Sequence, residues 1–197
     1  MWRYQLMDSV EGYEIHAKAF LQGRDVSKIG SRIVEQWTRT LPQGATVIEL
    51  ACGGGFPITR VLQEAGLRVW AVDSSPTLLG EFRKRFPMIP ARCERVQDSD
   101  FFAQKYHAAV AIGLLFLLSD ADQESMMMRV AQALLPNGRF LFMAPIQAGT
   151  WKDLNTGLEC TSLGYERYTQ LMGSAGFRLL STCMDKGDNN YYEAELI

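Results

Sequence analysis

Short apolar runs alternate with longer amphipathic stretches along most of the chain. Five runs rich in Val, Ile and aromatic residues predict strands at 46–50, 68–72, 89–94, 108–112 and 139–144. Between them, hydrophobic spacing predicts helices at 58–65, 76–86 and 120–135. Ser74 or Ser75 is the predicted cap of the second helix, and Asp120 that of the third. Strands alternating with such helices imply βαβ units and a parallel sheet.

The two ends of the chain depart from this alternation. After a predicted helix at 163–174, two apolar runs at 177–184 and 191–197 have no helix between them. The short polar link at 185–190 therefore predicts an antiparallel strand pair. Upstream of the first strand, residues 13–22 and 25–40 have the pattern of two helices.

Composition narrows the class of protein. The chain has 197 residues, 47% of them hydrophobic, and a net charge of −2, which fits one globular domain without a positive field for nucleic acid. The four cysteines form no CxxC pair and only two histidines are present, so we expect reduced thiols and no metal site. The N-terminus lacks a signal core, and the longest apolar run, 108–118, is too short for a bilayer. We therefore expect a cytoplasmic protein with no membrane partner.

A glycine-rich turn follows the first predicted strand. Gly53, Gly54 and Gly55 lie between that strand and a helix, where they permit a sharp bend and close approach of a ligand. In open α/β sheets this turn is where nucleotide-like ligands bind. Asp73 ends the second strand and can accept two hydrogen bonds from a ribose diol, and Glu94 at the end of the third could reach an adenine edge.

Two other interpretations of the glycines exist. They could form a tight turn and nothing more. They could also belong to a dinucleotide site, whose fingerprint G-x-G-x-x-G opens the helix with a third glycine. Counted from Gly53, that position is Ile58, so the fingerprint is not met.

Several motifs together resemble a known family. Glu49-x-Ala-Cys-Gly-x-Gly55, followed by Asp73, resembles the cofactor motif of class I S-adenosylmethionine-dependent methyltransferases. The segments 106–110, 133–142 and 175–177 resemble the family's fourth strand, its helix–turn–fifth strand unit and its Ala-Gly-Phe entry to the sixth strand. The resemblance covers roughly residues 44–197. Pro57, His107 and Asn137 depart from the family pattern without breaking the order of the motifs.

The resemblance implies a fold and a cofactor. The fold is a Rossmann-like three-layer α/β sandwich with a seven-stranded, mostly parallel sheet, an antiparallel last strand and helices on both faces. Residues 1–43 would form an N-terminal helical lid, and 44–197 the core with its C-terminal hairpin, in a single domain. The cofactor would be S-adenosyl-L-methionine, which leaves as S-adenosyl-L-homocysteine.

The same resemblance assigns cofactor-binding residues. Those at the methionine end are Tyr13 in the lid, Arg24 for the carboxylate, and Glu49, Ala51, Cys52, Gly53, Gly55, Gly113 and Leu114. Asp73 and Ser74 would hold the ribose. Glu94, Arg95 and Val96 would border the adenine, with Asp98 as the alternative acid.

The segment after the fourth strand bears on the methyl acceptor. Methyltransferases acting on nucleobase amines usually carry an Asn/Asp-Pro-Pro-aromatic motif there, whereas 113–118 reads Gly-Leu-Leu-Phe-Leu-Leu. We therefore expect a small-molecule acceptor, with a protein or nucleic-acid acceptor as the alternative, and a monomer or homodimer. The candidate pocket residues are Tyr13, His16, Phe20, Phe116, Trp151, Tyr191 and Tyr192. His16 is the candidate general base, with Glu159 and Asp188 as weaker ones.

Overall fold

The computed structural model describes residues 9–154 and 156–197. Its helices are α1 Ser9–Val26, α2 Ser31–Thr38, α3 Ile58–Glu64, α4 Pro76–Arg85, α5 Asp120–Ala133 and α6 Gly164–Ser174. Its strands are β1 Thr46–Leu50, β2 Arg68–Asp73, β3 Ala91–Cys93, β4 Tyr106–Ala111, β5 Leu134–Met143, β6 Gly149–Lys152, β7 Glu159–Ser162, β8 Phe177–Met184 and β9 Asn190–Leu196.

Seven strands form one sheet in the order β3-β2-β1-β4-β5-β9-β8. The first five are parallel, as shown by the registers Val47↔Val69 and Val47↔Ala108. Strand β9 is antiparallel to both β5 and β8. This confirms the predicted mostly parallel sheet with an antiparallel last strand, and the link at 185–190 is the predicted hairpin.

Alternate residues of the central strands face two apolar layers. Val47 on β1 packs in one cluster with Val34 and Trp37 of α2 and Leu62 of α3. Its neighbour Ile48 faces a second cluster, which also holds residues of α5 and α6. Burial on both faces explains why apolar residues follow one another directly in β1 and β4 and do not alternate with polar ones. The predicted three-layer arrangement is confirmed.

Element boundaries differ from prediction where a side chain or a pairing intervenes. Helix α5 begins after Ser119, whose Oγ accepts the Asp122 N–H at 3.2 Å, so Asp120 lies inside the helix and is not its cap. The helix ends at Ala133 because Leu134 already pairs with Tyr106 in the sheet. Of the two predicted caps of α4, Ser74 and Ser75, the structure has Ser75, whose Oγ accepts the Leu78 N–H at 3.1 Å.

The hairpin formed by β6 and β7 was not predicted. Every residue of β6 is exposed, and Trp151 is the one large apolar residue of the strand, so it lacks the apolar run by which the core strands are recognised. This two-stranded sheet stands apart from the main one, with Trp151 opposite Cys160. No helix in the described part of the chain is both long and apolar enough to cross a membrane.

The order of the strands fixes where a site can form. Chain progression reverses direction between β1 and β4, which are neighbours in the sheet. The loops that follow these strands therefore diverge at the carboxyl edge and leave a crevice between them. Helix α1 and the β6–β7 hairpin cover this edge from two sides.

Candidate active site

A cavity of about 1000 Å³ lies at the carboxyl edge of the sheet. Its walls come from the loops after β1, β2, β4 and β5, from helix α1, and from the two hairpins. The volume lies at the upper end of the range of roughly 300–1,000 Å³ seen for small-ligand sites.

Asp73 and Gly53 form the centre of the floor. The Gly53 N–H donates to Asp73 Oδ2 at 2.7 Å, and the Ser75 N–H donates to Oδ1 at 2.9 Å. Burial raises the pKa of the Asp73 carboxyl, and these two N–H groups act in the opposite direction. Each oxygen has a second lone pair beyond the one used by the backbone, so the carboxylate can still accept two hydroxyl hydrogens.

The three glycines of the loop after β1 have different structural roles. Gly53, with φ +57°, is the one that lines the cavity. A Cβ on Gly54 would lie 2.4 Å from Leu21 Cδ2, so the lid helix α1 rests directly on this residue. A Cβ on Gly55 would lie 2.2 Å from the Phe86 ring, so Gly55 allows the loop to pack against α4. Close approach of a ligand to this loop is therefore confined to Gly53.

Glu49 lies beneath the loop. It is 4% exposed and accepts a hydrogen bond from the Thr59 hydroxyl at 2.6 Å. Burial raises the pKa of Glu49 to about 8, against the lowering effects of the Thr59 hydrogen bond and of nearby Arg24. Glu49 thus supports the floor from below without lining the cavity.

Arg24 brings a guanidinium to the cavity wall. Its Nη1 donates to Ser27 Oγ at 3.3 Å and to the Ile29 carbonyl at 3.4 Å. Burial lowers the pKa of Arg24, while the nearby Tyr191 and Glu49 raise it. A guanidinium in this position can bind a carboxylate.

Hydrogen bonds and an ion pair near its two ends hold helix α1 over the glycine loop. Glu14 accepts hydrogen bonds from the Ser75 hydroxyl and from Thr77, whose hydroxyl lies 2.5 Å away. Farther along the helix, Asp25 makes a bidentate ion pair with Arg85, at 2.6 and 2.8 Å. Helix α1 is therefore bound to both ends of α4.

The structure brings most of the sequence-predicted site residues to one cavity. Those that line it are Tyr13, Phe20, Arg24, Ala51, Gly53, Asp73, Ser74, Arg95, Val96, Gly113, Leu114, Phe116, Trp151, Glu159 and Asp188. The tyrosine and phenylalanine of α1 meet edge to face, with ring centroids 5.2 Å apart. Phe116 and Trp151 meet across the opposite wall at 5.5 Å.

Other predicted cofactor residues are not part of the lining, for identifiable reasons. Cys52 is buried against α4, and Gly55 against Phe86. Glu94 accepts the Ser99 hydroxyl at 2.6 Å. Neither Glu94 nor the exposed Asp98 is on the cavity wall, where Gln97 lies instead.

The predicted pocket aromatics at the C-terminus also lie behind the wall. Tyr191 is fully buried and donates its hydroxyl to Asp185 Oδ2 at 2.8 Å. Tyr192 stacks on Phe142 with ring centroids 4.8 Å apart. Both are core residues because β9 lies inside the sheet. His16, on α1, is half-buried and outside the cavity lining.

Sequence reasoning missed part of the cavity wall. The tip of the β6–β7 hairpin contributes Asp153 and Leu158, and the β8–β9 turn contributes Asn189 and Asn190. The one local signal is the Asp153-x-x-Thr156 spacing: Asp153 Oδ2 accepts the N–H and the hydroxyl of Thr156 at 2.9 and 2.7 Å. Across residues 9–154 and 156–197, no cluster of His, Cys, Asp or Glu could hold a metal ion.

A family model described as "Methyltransferase domain" matches residues 47–138, which contain the glycine loop, Asp73 and strands β1 to β4. A search of curated protein sequences gave no match.

Solved structures of methyltransferases share the fold. The glycopeptide N-methyltransferase MtfA complexed with S-adenosyl-L-methionine aligns over 88% of this chain and 96% of its own, with TM-score 0.71 and 18% identity. An amino pentose methyltransferase from Micromonospora echinaspora, bound to the same cofactor, aligns over 91% and 96%, with TM-score 0.71 and 14% identity. The 1,6-didemethyltoxoflavin-N1-methyltransferase of Burkholderia thailandensis aligns over 96% and 91%, with TM-score 0.72 and 18% identity.

The family match falls on the segment that builds the cavity floor, and the fold around it is the one these enzymes share. Residues 47–138 match the methyltransferase-domain model, and the chain has the fold of solved S-adenosylmethionine-dependent methyltransferases.

Proposed function

We propose that the protein transfers a methyl group from S-adenosylmethionine to a small molecule bound in the same cavity. The cofactor supplies a methyl group on a sulfonium, which an acceptor attacks in line. The observation that carries the proposal is the buried Asp73 carboxylate, aimed into the cavity and fixed to the Gly53 loop. This pair would hold the ribose.

Residues at both ends of the cavity support the orientation of the cofactor. Arg24 would bind the carboxylate of its methionine part, and Ala51, Gly53 and Gly113 would lie along that part. Val96 is an apolar residue that would border the adenine, together with Arg95 and Gln97. Held this way, reacting groups gain rate mainly from positioning.

The contact between α1 and the β6–β7 hairpin, which covers the cavity, supports the proposal that the acceptor is a small molecule. A Cβ on Gly12 would lie 2.6 Å from Leu158 Cδ1, so α1 and the β6–β7 hairpin touch above the cavity. Such a cover favours an enclosed acceptor over a polymer in an open groove. The net charge of −2 also argues against a nucleic-acid acceptor. We expect a cytoplasmic monomer or homodimer.

The three structural neighbours agree with this assignment by name. They are methyltransferases of a glycopeptide, an amino pentose and 1,6-didemethyltoxoflavin.

A labelling experiment tests the proposal. The protein is incubated with methyl-labelled S-adenosylmethionine and a cell extract, and label is measured separately in the small-molecule and macromolecular fractions. We expect label in the small-molecule fraction, lost with Asp73→Ala and kept with Asp100→Ala, an exposed carboxylate outside the cavity. Label confined to protein or nucleic acid would contradict the proposal in favour of a macromolecular acceptor.

A further inference from the structure

The acceptor side of the cavity is acidic. With Asp73, Arg24 and Arg95 assigned to the cofactor, the charged residues lining the hairpin side are Asp153, Glu159 and Asp188, with Lys152 as the one cation among the described residues there. Three carboxylates against one ammonium favour a positively charged ligand group over an anionic one.

Asp153 is the best placed of these acids. It is 8% exposed and lies at the tip of the hairpin that covers the cavity. Its Oδ2 is fixed by the Thr156 N–H and hydroxyl at 2.9 and 2.7 Å. Its Oδ1 receives the Tyr13 hydroxyl at 3.4 Å, beyond the usual O–H···O range. The carboxylate is thus held in place by one oxygen while the other retains capacity for a strong donor.

The apolar part of the same wall suits a cation as well. Phe116 and Trp151 form a tilted pair 5.5 Å apart, and both line the cavity. Aromatic faces attract ammonium groups and also bind apolar ligand skeletons. Tyr13 and Phe20 provide a second aromatic pair on the lid side.

The candidate general bases on the described cavity wall are carboxylates, among them Glu159 and Asp188, which also favour a bound ammonium. No histidine or cysteine is part of its described lining. His107 lies outside the cavity lining and hydrogen-bonds the Thr46 hydroxyl through Nδ1, at 2.8 Å. An alcohol acceptor generally needs a general base, whereas an amine becomes a nucleophile once it loses one proton.

We infer that the acceptor is an aliphatic amine, protonated in solution, whose nitrogen is bound by Asp153 opposite the Phe116–Trp151 pair. This inference rests on the proposed function and specifies its substrate class. The ammonium group releases one proton to solvent, and its lone pair forms the N–C bond to the donor methyl. The C–S bond breaks with its electron pair going to sulfur. The products are S-adenosylhomocysteine and the N-methylated ammonium.

Matched acceptors test the substrate class. Release of S-adenosylhomocysteine is measured with 2-phenylethylamine, benzylamine and hexylamine, each beside the alcohol of the same skeleton. Binding of each compound to the S-adenosylhomocysteine complex is measured by calorimetry. We expect at least one amine to bind and be methylated, with no turnover of its alcohol. Equal turnover of the alcohols, or no binding and no turnover of any amine by protein that binds S-adenosylhomocysteine, would overturn the inference.

Variants at the tip of the β6–β7 hairpin test whether Asp153 binds the acceptor nitrogen. With the best amine, we expect Asp153→Asn to raise KM about tenfold or more, since it removes a charge-assisted hydrogen bond, and to leave cofactor affinity unchanged. Asp153→Glu should restore part of the loss. Thr156→Val, which weakens the turn but keeps the charge, should raise KM less than about threefold. An unchanged KM in Asp153→Asn, or an equal loss in Thr156→Val, would overturn the assignment. Failure of the proposed function itself would appear differently, as protein that does not bind S-adenosylhomocysteine.

Discussion

The backbone N–H of Gly53 donates to Oδ2 of Asp73 at 2.7 Å and so joins the tips of β1 and β2. The parallel register of the two strands, with Leu50 opposite Val72, brings the glycine loop beside the carboxylate although they are 20 residues apart. One side chain therefore sets the shape of the loop and presents acceptor oxygens to the cavity. Loss of Asp73 should affect both.

The buried Glu49 should make stability depend on pH. Its pKa is about 8 in the folded protein and near its ordinary value of 4.5 when unfolded, so between these values the folded state holds a proton that the unfolded state releases. The free energy of unfolding should therefore fall as pH rises through this window and level off above it.

Glu49→Gln removes this titration and can still accept the Thr59 hydroxyl. We expect the variant to gain stability relative to the wild type between pH 5 and pH 8, by about 3 to 5 kcal/mol at most. Urea unfolding at pH 5, 6.5 and 8 measures the difference. Parallel pH profiles for the two proteins would show that Glu49 ionises normally.

Most of the core was predictable from sequence because its signals are local. Apolar runs mark strands that are buried on both faces, and the Asp185–Asn190 link marks a hairpin because it is too short for a crossover helix. The β6–β7 hairpin gave no such signal, since the residues of β6 are exposed and Leu158, beside β7, contacts α1, which is distant in the chain.

The site was predictable in outline but not residue by residue. Gly53 and Gly55 both have positive φ and look alike in sequence. What separates them is Phe86, a residue distant in the chain, whose ring packs against Gly55 and leaves Gly53 to the cavity. Likewise, Tyr191 and Tyr192 have the composition of pocket aromatics, and their burial depends on β9 lying between β5 and β8.

The glycines offer a test of how the lid docks. In Gly54→Ala the new methyl would meet Leu21 of α1, a movable side chain, so we expect faster amide exchange in α1 and weaker S-adenosylhomocysteine binding, with little change in Tm. In Gly55→Ala the methyl would meet the Phe86 ring at a backbone φ of +87°, so we expect a loss of stability of about 2 kcal/mol or more.

Gly80→Ala is the matched control. Its Cβ would have nothing within 4 Å, and it lies in helix α4, so we expect a gain of up to about 1 kcal/mol. Equal effects of the changes at positions 54 and 55 on Tm would argue against separate roles for the two glycines.

Glu14 should control the docking of α1 through its charge. The hydrogen bonds from Ser75 and Thr77 lower the pKa of Glu14, against the raising effect of its burial. The ionised form therefore contributes docking free energy that is present above the unfolded pKa of Glu14 and is lost as pH falls through its depressed folded value. Glu14→Gln should weaken docking at neutral pH and remove this acid dependence.

Hydrogen exchange of α1, measured at pH 7 and in acid, is the readout for Glu14→Gln. Glu64→Gln is the control, because it breaks an exposed pair with Arg60 at 2.8 Å, away from the lid. We expect exchange in α1 to rise only in Glu14→Gln. Protection of α1 that matches the wild type would mean that the charge of Glu14 does not contribute to its docking.

Calorimetric titration with S-adenosylhomocysteine measures whether Asp73 and the Gly53 loop bind the cofactor. We expect a wild-type Kd on the order of micromolar, and an increase of roughly 100-fold or more in Asp73→Ala, because two hydrogen bonds to a charged acceptor are lost. Asp100→Ala should bind as the wild type does, and circular dichroism should show that all three proteins are folded. No binding by the wild-type protein, or an unchanged Kd in Asp73→Ala, would show that these residues do not bind the cofactor.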